Sequence, residues 1–348
     1  MEKSKQKSKK KTRKTRPEWI DIVKRYQAPD NWRSTWQVLN SVVPFFAIWI
    51  AMYYSLSISY WLTLGLGFVN AGFMVRMFII QHDCGHGSFY KSTKTNHRLG
   101  VFLGVLNLTP YFHWRKQHAL HHATSGDLDF RGFGDIDTAT VEEYEAMGKK
   151  ERFKYRFYRH PLVTFGLGPL ITFGIYHRFA YNTKKNEVRE RRSVWFTNIA
   201  LLVLIVGVGS LIGFKELFLI QFPITAIGTS AGVYLFYVQH QFEDTYWRRH
   251  KHWDYAKAAL EGSSYFKLPK LLQWFSGNIG FHHIHHLAPL IPNYMLEKAY
   301  KENILFQKVE TLTIKTSFRT IFLDLWDENL QRLISFREYR RRYILNAG

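Results

Sequence analysis

Residues 61–90 read WLTLGLGFVNAGFMVRMFIIQHDCGHGSFY, a long apolar run followed at once by two histidines four positions apart. Twenty residues of helix measure about 30 Å, the thickness of a bilayer's hydrocarbon core. The stretch predicts a membrane span over residues 61–80, with His82 and His86 just past its end. Positions i and i+4 share one face of a helix, so both imidazoles can turn toward a common ligand. Fold and chemistry therefore meet in one segment.

Working outward, three more runs have the same length and character: residues 38–56 (VLNSVVPFFAIWIAMYYSL), 194–214 (VWFTNIALLVLIVGVGSLIGF) and 217–238 (LFLIQFPITAIGTSAGVYLFYV). Short links join them in pairs, which predicts two helical hairpins. A fifth stretch, 162–180, is interrupted by Gly166, Gly168, Pro169, Gly174, His177 and Arg178. A full crossing there would put the histidines near 82 and 240 on opposite faces, so an interfacial or re-entrant helix is expected. The links between paired spans are poor in Lys and Arg, whereas the preceding arm, residues 184–192 and the C-terminal third are rich in them. By the positive-inside rule both termini are expected on the cytoplasmic side. The predicted fold is all-α, with four transmembrane helices in two hairpins, an interfacial helix and a cytoplasmic helical cap. No alternating stretch predicts a strand.

Composition narrows the partners. The 348 residues carry 48 Lys+Arg against 27 Asp+Glu, a net charge of +21, and 17% are aromatic. Mean hydropathy is −0.23, an average in which apolar spans and basic, His-rich stretches cancel. One cysteine, Cys84, rules out an intrachain disulfide and a cysteine-ligated iron–sulfur cluster. Residues 1–34 read as a basic disordered arm and a pre-membrane segment, with no secretory signal expected. A juxtamembrane polybasic segment suits the arm better than a nucleic-acid arm, and no nucleic-acid partner is expected. Residues 35–300 form the expected membrane domain, and 301–348 a basic cytoplasmic helical segment.

Sixteen histidines are the compositional anomaly. Beyond His82 and His86, HWRKQHALHH supplies His118, His121 and His122, and GNIGFHHIHHL supplies His282, His285 and His286, each set spaced i, i+3, i+4. His240 follows the last span. One zinc ion takes about four ligands, so these nine imidazoles suggest two metals; imidazole suits Zn, Cu, Fe and Ni alike. His97, His113, His160, His177, His250 and His252 are expected at the surface or interface. Asp83 and His283 sit beside the clusters but off their shared faces, as candidates to orient a ligand or contact substrate. Asp127, Asp129, Asp135 and Asp137 lie in a Gly-containing loop, where a carboxylate can orient His122 or its neighbours or cap a turn.

HDCGH, HALHH and HHIHH, in this order around two hairpins, resemble the three histidine boxes of the membrane fatty acid desaturases. HDCGHGSF and GNIGFHHIHHL followed by PNY are most similar to acyl-lipid desaturases of the Δ12/ω-6 type and their bacterial relatives. The resemblance covers residues 35–300. It implies a non-haem di-iron centre on the cytoplasmic side that uses O2 and two electrons to remove two hydrogens from an acyl chain. Carried over by position, the iron ligands are His82 and His86, His118, His121 and His122, then His282, His285 and His286, with His240 as the extra ligand after the last span. Related acyl-CoA enzymes have an Asn four residues before that extra histidine; Phe236 stands there in this chain, and Asn278 is a candidate substitute.

The same scaffold hosts hydroxylases and ketolases, so an acyl or lipid hydroxylase is the alternative within the class, and a non-catalytic membrane metal-binding protein the alternative outside it. An unactivated methylene carries no acidic proton, so cofactor chemistry is required. The substrate is expected to be an acyl lipid or acyl thioester, and the substrate-binding residues are not readable from sequence. Electrons are expected from a separate ferredoxin-like or cytochrome b5-like donor. A bacterial cytoplasmic membrane is favoured over the endoplasmic reticulum.

Overall fold

The computed structural model describes residues 17–132 and 135–345; the expected basic arm over 1–16 lies outside them. Among the described residues four helices are long and apolar enough to cross a membrane: Asn31–Ser55, Tyr60–His86, Val188–Ile212 and Phe214–His240. They are the first to fourth long helices below. The first starts where the Asp30 carboxylate accepts the backbone N–H groups of Trp32 and Arg33, satisfying donors that every helix start leaves open. Pro44 sits inside it and removes one helical hydrogen bond.

The second long helix is the axis of the molecule. Its most apolar window is 61% buried, against 11% for the third helix, which therefore offers nearly all of its surface to lipid. Gly67 lets the first and fourth helices close on it, its missing side chain facing Met52 and Pro223. At 27 residues it is about 40 Å long, so it outlasts a bilayer core by about 10 Å. The expected ends at residues 80 and 238 are thus exceeded: both helices run on without a break, through His86 and through His240. Gly87, at φ +76°, stops the second helix directly after His86, in a left-handed conformation that costs glycine little.

Two further departures concern a boundary and the strands. The third and fourth helices turn at Gly213, so Lys215 and Glu216 fall in the first turn of the fourth helix and not in the link. The fifth apolar stretch, as expected, is not a span. It forms a π-turn at Val163–Leu167, a helix at Gly168–Gly174 and a 3₁₀ turn at Tyr176–Arg178, folded against the fourth helix. Among the described residues are four short strands that were not expected: Tyr265–Lys267 pairs in parallel with Thr311–Thr313, and Leu325–Asp327 antiparallel with Arg332–Ile334. Each spans three residues, too few for an alternating pattern to register.

The C-terminal third is therefore a mixed cap. Val23 and Tyr26, from the segment before the first long helix, are buried in it beside Leu296 and Phe306. Arg159 pins the cap to the membrane part: its guanidinium donates to Tyr237 Oη at 3.0 Å, to Gln241 Oε1 at 3.2 Å and to the Leu323 carbonyl.

Candidate metal centre

Each helix end delivers its histidines for a local reason. His82 and His86 ride the overhang of the second long helix, and His240 ends the fourth. The Tyr111–Thr124 helix carries His118, His121 and His122; it is tied down where Tyr111 Oη donates to the Cys84 carbonyl at 2.7 Å and Arg115 Nε to the Gly85 carbonyl at 2.7 Å. His282–Leu287 is a single buried turn and a half, entered through the sharp bend at Gly277 and Asn278.

The nine candidate histidines converge. His82, His86, His118, His122 and His285 form one group, and His121, His240 and His286 a second, with ligand atoms in each group within 4.8 Å of one another. His282 joins the second group through His240, Nε2 to Nε2 at 2.9 Å. Neighbouring Nε2 atoms stand 3.0 Å apart for His86 and His118, 3.1 Å for His118 and His122, 3.0 Å for His122 and His285, and 3.2 Å for His121 and His240.

Among the described residues buried His286 Nε2 has no hydrogen-bond partner, an acceptor left for an ion. Burial first, and neighbouring imidazoles second, hold His118, His122, His282, His285 and His286 well below the usual histidine range. They are neutral at pH 7 and keep the lone pairs a metal needs. The donor set fits a pair of imidazole-loving ions.

Carboxylates reach two of these imidazoles from behind. Asp83 Oδ1 lies 3.1 Å from His82 Nδ1, while its Oδ2 accepts the backbone and side-chain N–H groups of Asn293 at 2.7 and 2.8 Å. Asp135 Oδ1 lies 2.5 Å from His121 Nδ1. Sequence singled out the acidic loop without choosing among its members; Asp127 and Asp129 instead bind His250 and Arg249. The other two candidates are placed elsewhere. His283 Nε2 bonds the Phe306 carbonyl at 2.9 Å, and the Asn278 carboxamide is held by Gln273 Nε2 and the Asn293 carbonyl. The Phe236 ring faces the second group, 5.1 Å from His121 and 4.9 Å from His240.

Some contacts were missed. Trp114 stacks on His118 at 4.7 Å, and the available signal was its position one helical turn before that histidine. His113 and His177, expected at the surface or interface, are buried; His113 Nε2 bonds the Tyr181 carbonyl. Next to the histidines lies a cavity of about 570 Å³, within the range of small-molecule sites, whose lining includes Met74, Phe78, Trp114, Pro169, Phe173 and Phe236. His82, His118 and His282 border it.

Fold and site together define a helical membrane protein with a buried all-histidine centre opening on an apolar cavity. The profile of the fatty acid desaturase family matches residues 59–310. A "Fatty acid desaturase" of Bacillus subtilis (strain 168) is 47% identical over 315 residues, covering 90% of this chain and 89% of its own. An "Omega-3 fatty acid desaturase, chloroplastic" of Glycine max is 29% identical over 292 residues, 80% of this chain and 62% of its own. An "sn-2 acyl-lipid omega-3 desaturase (ferredoxin), chloroplastic" of Arabidopsis thaliana is 28% identical over 290 residues, 80% of this chain and 63% of its own. The chain belongs to the fatty acid desaturase family and is an enzyme of that family.

Proposed function

We propose that this enzyme introduces a double bond into a lipid-linked acyl chain, using O2 and electrons from an external ferredoxin-like donor. The observation that carries the reading is the junction of two histidine groups with an apolar cavity. In this reading His82, His86, His118, His122 and His285 hold one iron, and His121, His240, His282 and His286 hold the other. Bound iron supplies the oxidising power that breaks unactivated C–H bonds, which no side chain has.

The chain's own residues do the rest. Asp83 and Asp135 fix the orientation of His82 and His121 and raise their donor strength, so the site is assembled before substrate arrives. Phe78, Trp114, Phe173 and Phe236 keep water from the reacting carbons and hold the acyl chain extended beside His82 and His282. The name of the Arabidopsis relative supports the donor class and the lipid-linked substrate. The distribution of basic residues supports a cytoplasmic site with both termini on that side, and the Bacillus relative supports a bacterial cytoplasmic membrane.

Expression in a desaturase-deficient host, with total fatty acids read by gas chromatography and mass spectrometry, tests this reading. A new unsaturated acid, absent from a His285→Ala, His286→Ala control, is expected. A hydroxylated product, or membrane-inserted protein holding zinc and no iron, would overturn it.

A further inference from the structure

The geometry points to Gly232 and the Met74–Gly228 contact as the features that set how long an acyl chain this enzyme accepts, an inference that rests on the proposed acyl substrate. The fourth long helix lines the cavity with Gly228, Gly232 and Phe236 at successive turns, and the second does so with Met74, Phe78 and His82. The cavity thus runs along these two helices, with Val163, Pro169 and Phe173 of the 162–180 stretch as its third wall, from the histidines down toward Met74 and Gly228.

Its floor and its open wall differ by one turn. A methyl group at Gly228 would stand 2.9 Å from Met74 Sδ, so the two helices meet there and close the space. Among the described residues a methyl group at Gly232 would meet no atom within 4 Å. The wall between them stays apolar because Thr229 Oγ1 donates back to the Thr225 carbonyl at 2.7 Å. Met74 lies eight residues below His82, about 12 Å along the helix. An extended chain of ~1.52 Å tetrahedral bonds advances about 1.25 Å per carbon, so about nine or ten carbons fit beyond the reacting bond. A large side chain at Gly232 would lift the floor by about 6 Å, or about five carbons.

The test uses the full chain in the deficient host, fed a homologous series of saturated acids, with products quantified by chain length. Gly232→Leu is expected to lower the ratio of long-chain to short-chain product by about tenfold or more, the scale on which an apolar pocket rejects excess methylenes. Met74→Ala is expected to shift products toward longer chains. Gly207→Leu, at an exposed position of the third helix with open space around it, should leave the distribution unchanged. A wild-type distribution from both Gly232→Leu and Met74→Ala would overturn the inference. If Gly232→Leu yields no product at all, Met74→Ala decides alone: longer products uphold the inference and an unchanged distribution defeats it. A wild-type chain that makes no unsaturated acid from any length would instead defeat the desaturase reading.

Discussion

The two histidine groups are made from one side chain and finished differently. The first gathers five imidazoles from three segments, is backed by Asp83 locked on Asn293, and has Trp114 stacked on His118. The second has His121, His240 and His286 with His282 beside them, an aromatic ring at Phe236 on one side, and a carboxylate, Asp135, from a partly exposed loop. The contrast predicts unequal metal retention: the enclosed first group should hold an ion more firmly than the second, whose backing carboxylate is partly exposed.

Removing one imidazole from each group is the strongest way to break that contrast. His285→Ala should strip metal from the first group and abolish product, while His286→Ala should spare metal in the first group. Iron per chain, with product analysis, reads both, and equal loss of all metal from each variant would merge the groups into one. The carboxylates come next. Asp135→Ala should weaken metal retention in the second group by about 10–100-fold, seen as a chelator titration that empties one class of site early. Asp83→Ala should act on the first group and also on the fold, since both Asn293 N–H groups lose their acceptor; a loss of about 1–3 kcal/mol in unfolding free energy is expected.

The smallest effect lies outside both groups. Burial raises the Asp324 carboxyl to about 6, against the Phe336 N–H and the Arg159 charge, which oppose the rise. A carboxyl raised on folding stabilises most below its unfolded value near pH 4, and that contribution is lost as pH rises through 6. Melting temperatures of wild type and Asp324→Asn, compared from pH 4 to 7, should differ by a slope confined to that window. Metal content should be the same in both.

Much of this architecture was legible because two periodicities are strong. Twenty-residue apolar runs mark the long helices, and the i, i+3, i+4 spacing marks which histidines share a face. The helix ends were not legible, because hydropathy falls at Gln81, His82 and Asp83 while backbone hydrogen bonding continues to His86. The Gly-rich stretch at 162–180 was separable from a span by its breakers, yet its π-turn was not. Asp135 could be shortlisted with three loop neighbours; choosing it needed the fold, since His121 and Asp135 meet across a turn. His113 and His177 looked like surface residues because isolated histidines carry no spacing signal, and their burial comes from distant partners such as Tyr181.

His122 and His285 stand 3.0 Å apart although 163 residues of chain separate them. During synthesis the first two sets of histidines therefore emerge long before the third, and neither group is complete until the last membrane hairpin has inserted and the cap has closed over it. Contacts this distant in sequence form late in folding. Both groups are consequently finished only by the last set: a chain truncated before residue 282 keeps His82, His86, His118 and His122 of the first group but only His121 and His240 of the second.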